Sequence, residues 1–175
     1  MRFIKLLLIS GLLLVVLITA ISLLIPFNVR ISRATNIYAP AEQIWQQVDN
    51  MNKWKEWNPF FSNLPAGAIQ FSDTGSGKTS MEVSGTVVQW KEKKADERIA
   101  VMQKKNGKPM ISGWKCIQQP GADSTTLQWY MDFKLRWYPW EKFSSLVFDK
   151  SYGGRMEQGL NNIKKIVEAD RTSIN

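Results

Sequence analysis

The chain has 175 residues, room for one domain and a short extension, with 23 Lys and Arg against 15 Asp and Glu and a formal net charge of +8. It has no His and a single Cys, Cys116, which excludes Ser-His-Asp and Cys-His catalysis, a His-rich metal site and an internal disulfide. A hydrophobic fraction of 44% with eight Trp and eight Phe excludes a disordered chain and leaves a folded, aromatic-rich domain with little catalytic equipment.

Residues 6–25 read LLLISGLLLVVLITAISLLI, a run without a charge or an amide. At about 1.5 Å rise per residue, a helix of that length spans the roughly 30 Å hydrocarbon core of a bilayer. Arg2 and Lys5 precede it; Pro26, Asn28, Arg30 and Arg33 follow and end it. The competing reading is a cleaved signal peptide, whose apolar region is usually about 7–15 residues long before a small-x-small cut. The run here is longer, and Ile18-Thr19-Ala20 fits such a cut poorly. The expectation is a membrane anchor over residues 1–30, a domain over 31–170 and a C-terminal tail over 171–175. A short basic N-tail stays in the cytoplasm, which predicts a single-pass bacterial inner-membrane protein with its domain extracytoplasmic. Arg30 and Arg33 beyond the run make the charge bias nearly even.

Past the anchor, residues 29–38 alternate as a strand, and Pro40 suits the first turn of a helix because its missing N–H would be unpaired there. Ile44, Trp45 and Val48 give that helix its apolar face. Residues 53–57 read as a second short turn, stopped by Asn58-Pro59. Antiparallel strands joined by turns follow. Residues 69–71 lead to a Gly75-Ser76-Gly77 turn. Residues 81–93 read as one long strand bent at Gly85. Residues 98–104 and 110–118 are joined by the hairpin signal Asn106-Gly107. Residues 126–137 alternate strictly. Leu127, Trp129, Met131, Phe133, Leu135 and Trp137 fall on one face, and polar residues with Tyr130 on the other. That pattern predicts one buried and one wet face. Tyr152, Met156, Leu160, Ile163 and Val167 recur at steps of three and four, a long terminal helix weakened at Gly153-Gly154.

Several motifs carry a possible chemistry. Gly75-Ser76-Gly77-Lys78-Thr79 invites a phosphate-loop reading, but the required upstream Gly is Ser72 and a strand pattern follows, so a polar turn is preferred. Glu56, between Trp54 and Trp57, Asp132 and Glu141 are the candidate acids, each with a plain surface or capping reading. Lys91, Lys93, Lys94, Arg98, Lys104, Lys105 and Lys108 read as a solvated sheet face or a lysine-guarded edge, with anionic lipid contact as the functional alternative. The charge is too dispersed for a nucleic-acid footprint. Eight Trp suit a cavity wall or a membrane interface as well as a core.

Ile37-Tyr38-Ala39-Pro40-Ala41-Glu42-Gln43-Ile44-Trp45, then Trp54-Lys55-Glu56-Trp57-Asn58-Pro59-Phe60, resembles the opening of the polyketide cyclase/dehydrase-like (START-like, SRPBCC) superfamily. Met156-Glu157-Gln158-Gly159-Leu160-Asn161-Asn162-Ile163-Lys164 resembles its closing helix. The resemblance implies an α+β helix-grip fold, a curved antiparallel sheet of about seven strands around a long C-terminal helix, with a hydrophobic cavity between them. On that fold the cavity is expected to be lined by Trp57, Phe60, Trp114, Trp129, Met131, Phe133, Phe148, Tyr152 and Met156. The implied function is membrane-tethered binding of a hydrophobic small molecule or lipid, with no cofactor, no metal and no nucleic-acid partner. No catalytic residue carries over from the resemblance. A cyclase or dehydratase using Glu56 or a cavity Tyr, and a partner-binding domain with a filled core, stay open as alternatives, as does the oligomeric state.

Overall fold

Alternation and helical stripe resolve, in a computed structural model, into one antiparallel sheet gripping one long helix. The structure describes residues 2–62, 64–65, 67–74, 78–105 and 107–172. Helix α1 (Arg2–Leu23) is exposed along most of its length, meets α4 near its C-terminal end where Ser22 is buried, and is long and apolar enough to cross a membrane. After four intervening residues β1 (Asn28–Ile37) begins. Then come α2 (Ala41–Val48), a 3-10 turn (Met51–Lys53) and α3 (Trp54–Trp57). The strands β2 (Ile69–Thr74), β3 (Lys78–Val83), β4 (Thr86–Lys93), β5 (Glu97–Lys104), β6 (Met110–Gln118) and β7 (Thr125–Lys134) follow. The chain closes with α4 (Pro139–Ser144), a 3-10 turn (Ser145–Val147), a π-helical turn (Asp149–Gly153) and α5 (Gly154–Thr172). The seven strands order as β1-β7-β6-β5-β4-β3-β2, so β1, which opens the domain, pairs with β7, which closes the sheet.

α5 lies against the concave face through Met156, Leu160, Ile163 and Val167, all 2% exposed or less. Its approach depends on Gly159. A Cβ there would stand 2.7 Å from the Trp129 ring and 3.2 Å from Pro59, so any side chain would push the helix off the sheet. Arg33 points inward from β1 and pins the helix's start, its Nε 2.7 Å from Glu157 and its second terminal nitrogen 2.8 Å from Asp149.

Five sequence expectations are corrected. The stretch 81–93 is two strands, not one bent strand. Val83 pairs with Thr86, and Ser84 (φ 50°) and Gly85 (φ 74°) form the two-residue turn with both φ positive that matches strand twist. The strand ending the sheet stops at Lys134, so Trp137 lies outside it and is 62% exposed. Tyr130, assigned to the wet face, is 5% exposed because its ring lies over Gly113, Arg30 stacks on it and its hydroxyl donates to Glu97. The weakness at Gly153-Gly154 is the π-to-α junction at the head of α5 rather than its middle, and Tyr152 sits in the π turn. The basic residues at 91–108 guard no edge, since the edges are β1 and β2; they lie on central strands and their turns, six of the seven exposed, as a solvated face would be. Gly75-Ser76-Gly77 and Asn106 lie outside the described residues; β5 and β6 do pair antiparallel, Met102 opposite Met110.

Candidate ligand cavity

The concave face can be followed row by row, because residues opposite one another on neighbouring antiparallel strands share a face. Nearest the strand ends beside α1, Val29 stands opposite Phe133, while Met110, Met102, Val88 and Met81 succeed one another across the sheet. The next row is Ile31, Met131, Ser112, Ala100 and Trp90. The third is Arg33, Trp129, Trp114 and Arg98.

The third row and α3 fill their part of the cleft. Trp54, Trp57, Trp114 and Trp129 are each 0% exposed. Ring centroids lie 5.2 Å apart for Trp54–Trp114, 5.6 Å for the stacked Trp114–Trp129 pair and 5.7 Å for Trp57–Trp129. Most of these polar handles are satisfied locally. The Trp54 indole N–H donates to the Val48 carbonyl (2.8 Å), that of Trp57 to the Gln47 carbonyl (3.2 Å), and that of Trp129 to the Ser112 hydroxyl (2.8 Å). Asn162 on α5 donates to the Trp57 carbonyl, tying helix to cluster. Edge and stacked aromatic contacts at these spacings add to the area buried, so the region is a rigid wall.

Towards the first row the packing opens. A cavity of about 300 Å³ is lined by Phe60, Phe61, Leu64, Val83, Ser84, Thr86, Val88, Met102, Met110, Met131 and Tyr152. None of these side chains is charged; Ser84, Thr86 and the Tyr152 hydroxyl are the polar groups on the wall. Asn58 shapes the covering loop, accepting from the Phe60 N–H through its side chain and from the Phe61 N–H through its carbonyl. The volume is at the lower edge of the range for small-molecule sites, roughly 300–1,000 Å³, and the lining chemistry is of that type. A wider trough of about 950 Å³ lies on the outer face, with Val101, Pro109 and Ile111 among its apolar lining and Arg30, Lys91, Lys108, Asp132 and Lys134 as its charged lining, so it is open to amphipathic rather than purely apolar occupants.

Of the nine residues expected at a cavity, Phe60, Met131 and Tyr152 lie on this wall. Phe133 and Phe148 flank Tyr152, with centroids 4.9 and 5.9 Å from it. Trp57, Trp114 and Trp129 belong to the filled cluster, and Met156 (0% exposed) packs in the core beneath α5. Phe61, Leu64, Val83, Ser84, Thr86, Val88, Met102 and Met110 were not singled out from sequence. Met102 and Met110 could have been found from the alternation on either side of the 104–110 connection. Val83 to Thr86 are hidden in the sequence because a Gly within an apolar run, here Gly85, reads as a bend in one strand.

The candidate acids stand elsewhere. Glu56 is exposed despite its Trp neighbours, Asp132 pairs with Arg30 on the outer face (2.6 Å), and Glu141 accepts from the Arg136 N–H. Burial pushes the Cys116 thiol up to about 12, away from a reactive thiolate. Burial, then the hydrogen bond to Glu97, does the same to the Tyr130 phenol, also to about 12. Among the described residues no group of three or more Cys, Asp or Glu is placed to hold a metal ion.

The family model described as polyketide cyclase/dehydrase and lipid transport matches residues 28–168, the whole of the sheet and nearly all of α5. The chain belongs to this family. A START superfamily protein from Mycobacterium smegmatis superposes with a TM-score of 0.57 at 18% identity, covering 80% of this chain and 97% of its own. Zhui aromatase/cyclase from Streptomyces sp. R1128 gives 0.55 at 14%, covering 81% and 94%. The di-domain aromatase/cyclase BexL of the BE-7585A biosynthetic pathway gives 0.56 at 15%, covering 79% of this chain and 50% of its own, so the chain spans about half of that protein. At these identities the likeness is one of fold. No curated protein matches the chain.

Proposed function

We propose that the protein holds a hydrophobic small molecule or a single lipid chain in the cavity between sheet and α5 while α1 anchors it in a membrane. The observation that carries this is the contrast inside one cleft. A rigid, filled indole wall adjoins an uncharged cavity walled by Met102, Met110 and Met131, whose flexible side chains adapt to varied apolar shapes. The family description, which includes lipid transport, supports the same class of ligand. At about 300 Å³ the cavity favours a slim occupant, and a bulky polycycle requires Phe60, Phe61 and Leu64 to move. Arg2 and Lys5 keep the N-tail cytoplasmic and the domain extracytoplasmic in a bacterial inner membrane. A catalytic role would centre on Tyr152, the hydroxyl-bearing aromatic of the wall, and would be read as turnover lost in Tyr152→Phe with binding kept.

The test is mass spectrometry of organic extracts from the full chain purified in mild detergent. Recovery of a stoichiometric apolar compound that also raises the melting temperature, as a ligand of the folded state must, supports the reading. Empty protein, unmoved by a panel of fatty acids, lysolipids and aromatic polyketides, returns the fold to a filled, partner-binding domain.

A further inference from the structure

Two of the eight Trp are not in the core. Trp137 and Trp140 are 62% and 70% exposed, whereas Trp45, Trp54, Trp57, Trp90, Trp114 and Trp129 are all 7% or less. The exposed pair sits in and just before α4, with Leu146 (67%) and Val147 (56%) on the turn that follows. Tyr138 stacks on Trp140 at 4.8 Å, holding the aromatic side chains as one surface. Lone exposed apolar side chains are ordinary, but a contiguous group marks a contact surface.

The place of this group in the fold decides what it contacts. Only Leu24–Phe27 separate α1 from β1, a reach of at most about 14 Å. Within that link the Phe27 carbonyl accepts from the Leu135 N–H at 2.7 Å, just ahead of Trp137. Lys142 of α4 is fully buried, its Nζ 2.8 Å from the Ile25 carbonyl and 3.8 Å from the Phe27 ring centroid. A buried ammonium on a carbonyl just past the C-terminus of α1 braces helix to domain. The exposed aromatic group is therefore fixed beside the end of α1. Along residues 134–155 the exposed cations Lys134, Arg136, Lys150 and Arg155 outnumber the acids Glu141 and Asp149, a balance suited to anionic head groups. Amphipathic Trp and Tyr side chains are favoured at that depth of a bilayer.

Resting on the reading that α1 spans the membrane, we propose that residues 137–147 form an interfacial collar that seats this end of the domain in the head-group layer. The first row of the sheet, which runs from Val29 and Phe133 beside the collar to Met110 and Met102 of the cavity wall, is at the same end. The collar thus holds this end of the sheet, and the cavity row with it, next to the bilayer.

The experiment uses the full chain in vesicles of phosphatidylcholine and phosphatidylglycerol carrying a lipid-attached spin-label quencher, either shallow or deep. The expected result is that the shallow quencher removes up to about a quarter of the Trp emission, the share of the two collar residues among eight, and more than the deep one does. Trp137→Ser with Trp140→Ser abolishes that quenching. Trp137→Phe with Trp140→Phe serves as a second variant, keeping the apolar bodies and the vesicle seating while removing the signal, should the Ser pair fail to fold. Wild-type emission untouched by either quencher, in chains that resist alkaline extraction, overturns the collar and leaves the anchor standing. Release of the wild-type chain by alkaline wash overturns the anchor and the collar with it.

Discussion

The two ends of the cleft between sheet and α5 are built from the same strands yet obey different packing rules. At one end Trp54, Trp57, Trp114 and Trp129 interlock at full burial, the indoles of Trp54, Trp57 and Trp129 hydrogen-bonded to backbone or to Ser112. At the other, Met102, Met110, Met131 and Phe60 surround about 300 Å³ of space. The lesson is a division of labour. Large planar side chains with fixed partners supply stability and hold the sheet's curvature, while unbranched, adaptable ones leave room that can change shape.

That division is broken most severely by Trp129→Ala, which removes a stacked ring from the filled end; a loss of about 4 kcal/mol is expected, read from denaturant unfolding. Gly159→Ala comes next. Its new methyl meets Trp129 and Pro59, and a loss of about 2 kcal/mol is expected from overpacking, visible as a lowered melting temperature. At the open end Met102→Leu should cost under about 1.5 kcal/mol, because volume is kept and the site can adjust. Comparable losses from Trp129→Ala and Met102→Leu would erase the distinction.

The outer face gives a smaller effect. The Tyr130 phenol is raised from 10.0 to about 12 in the folded state, so between those values the folded chain keeps a proton that the unfolded chain has lost. The associated stability is complete below pH 10 and is lost as pH rises towards 12. Tyr130→Phe should flatten that part of the stability profile relative to wild type. Cys116, buried and raised to about 12, should resist alkylation near neutral pH until the protein unfolds.

Much of the fold was legible because its signals are local. The strict alternation of Leu127, Trp129, Met131 and Phe133 and the Met156–Val167 stripe each encode one buried face. The order of elements followed. The site was less legible, because the cavity depends on which side chains fail to touch. From sequence, Trp57, Trp114 and Trp129 look as suitable for a cavity wall as Phe60 or Met131, and only the depth of α3 and the close approach at Gly159 decide that indoles fill their end. Ser84-Gly85 was missed for a different reason. A Gly inside an apolar run signals a bulge as well as a turn, and the positive φ at Ser84 lacks the usual Asn or Asp cue.

The most direct test is a titration of the purified full chain with an uncharged naphthylamine dye, wild type against Thr86→Trp, which places an indole in the open end of the cleft. The expected result is saturable one-to-one binding that is unchanged between low and high salt, since no charged side chain lines the cavity, and at least tenfold weaker in Thr86→Trp at near-native stability. Equal binding by the two proteins would contradict a ligand site between sheet and helix. Binding lost on adding salt would move the site to the lysine-rich turns at 91–108.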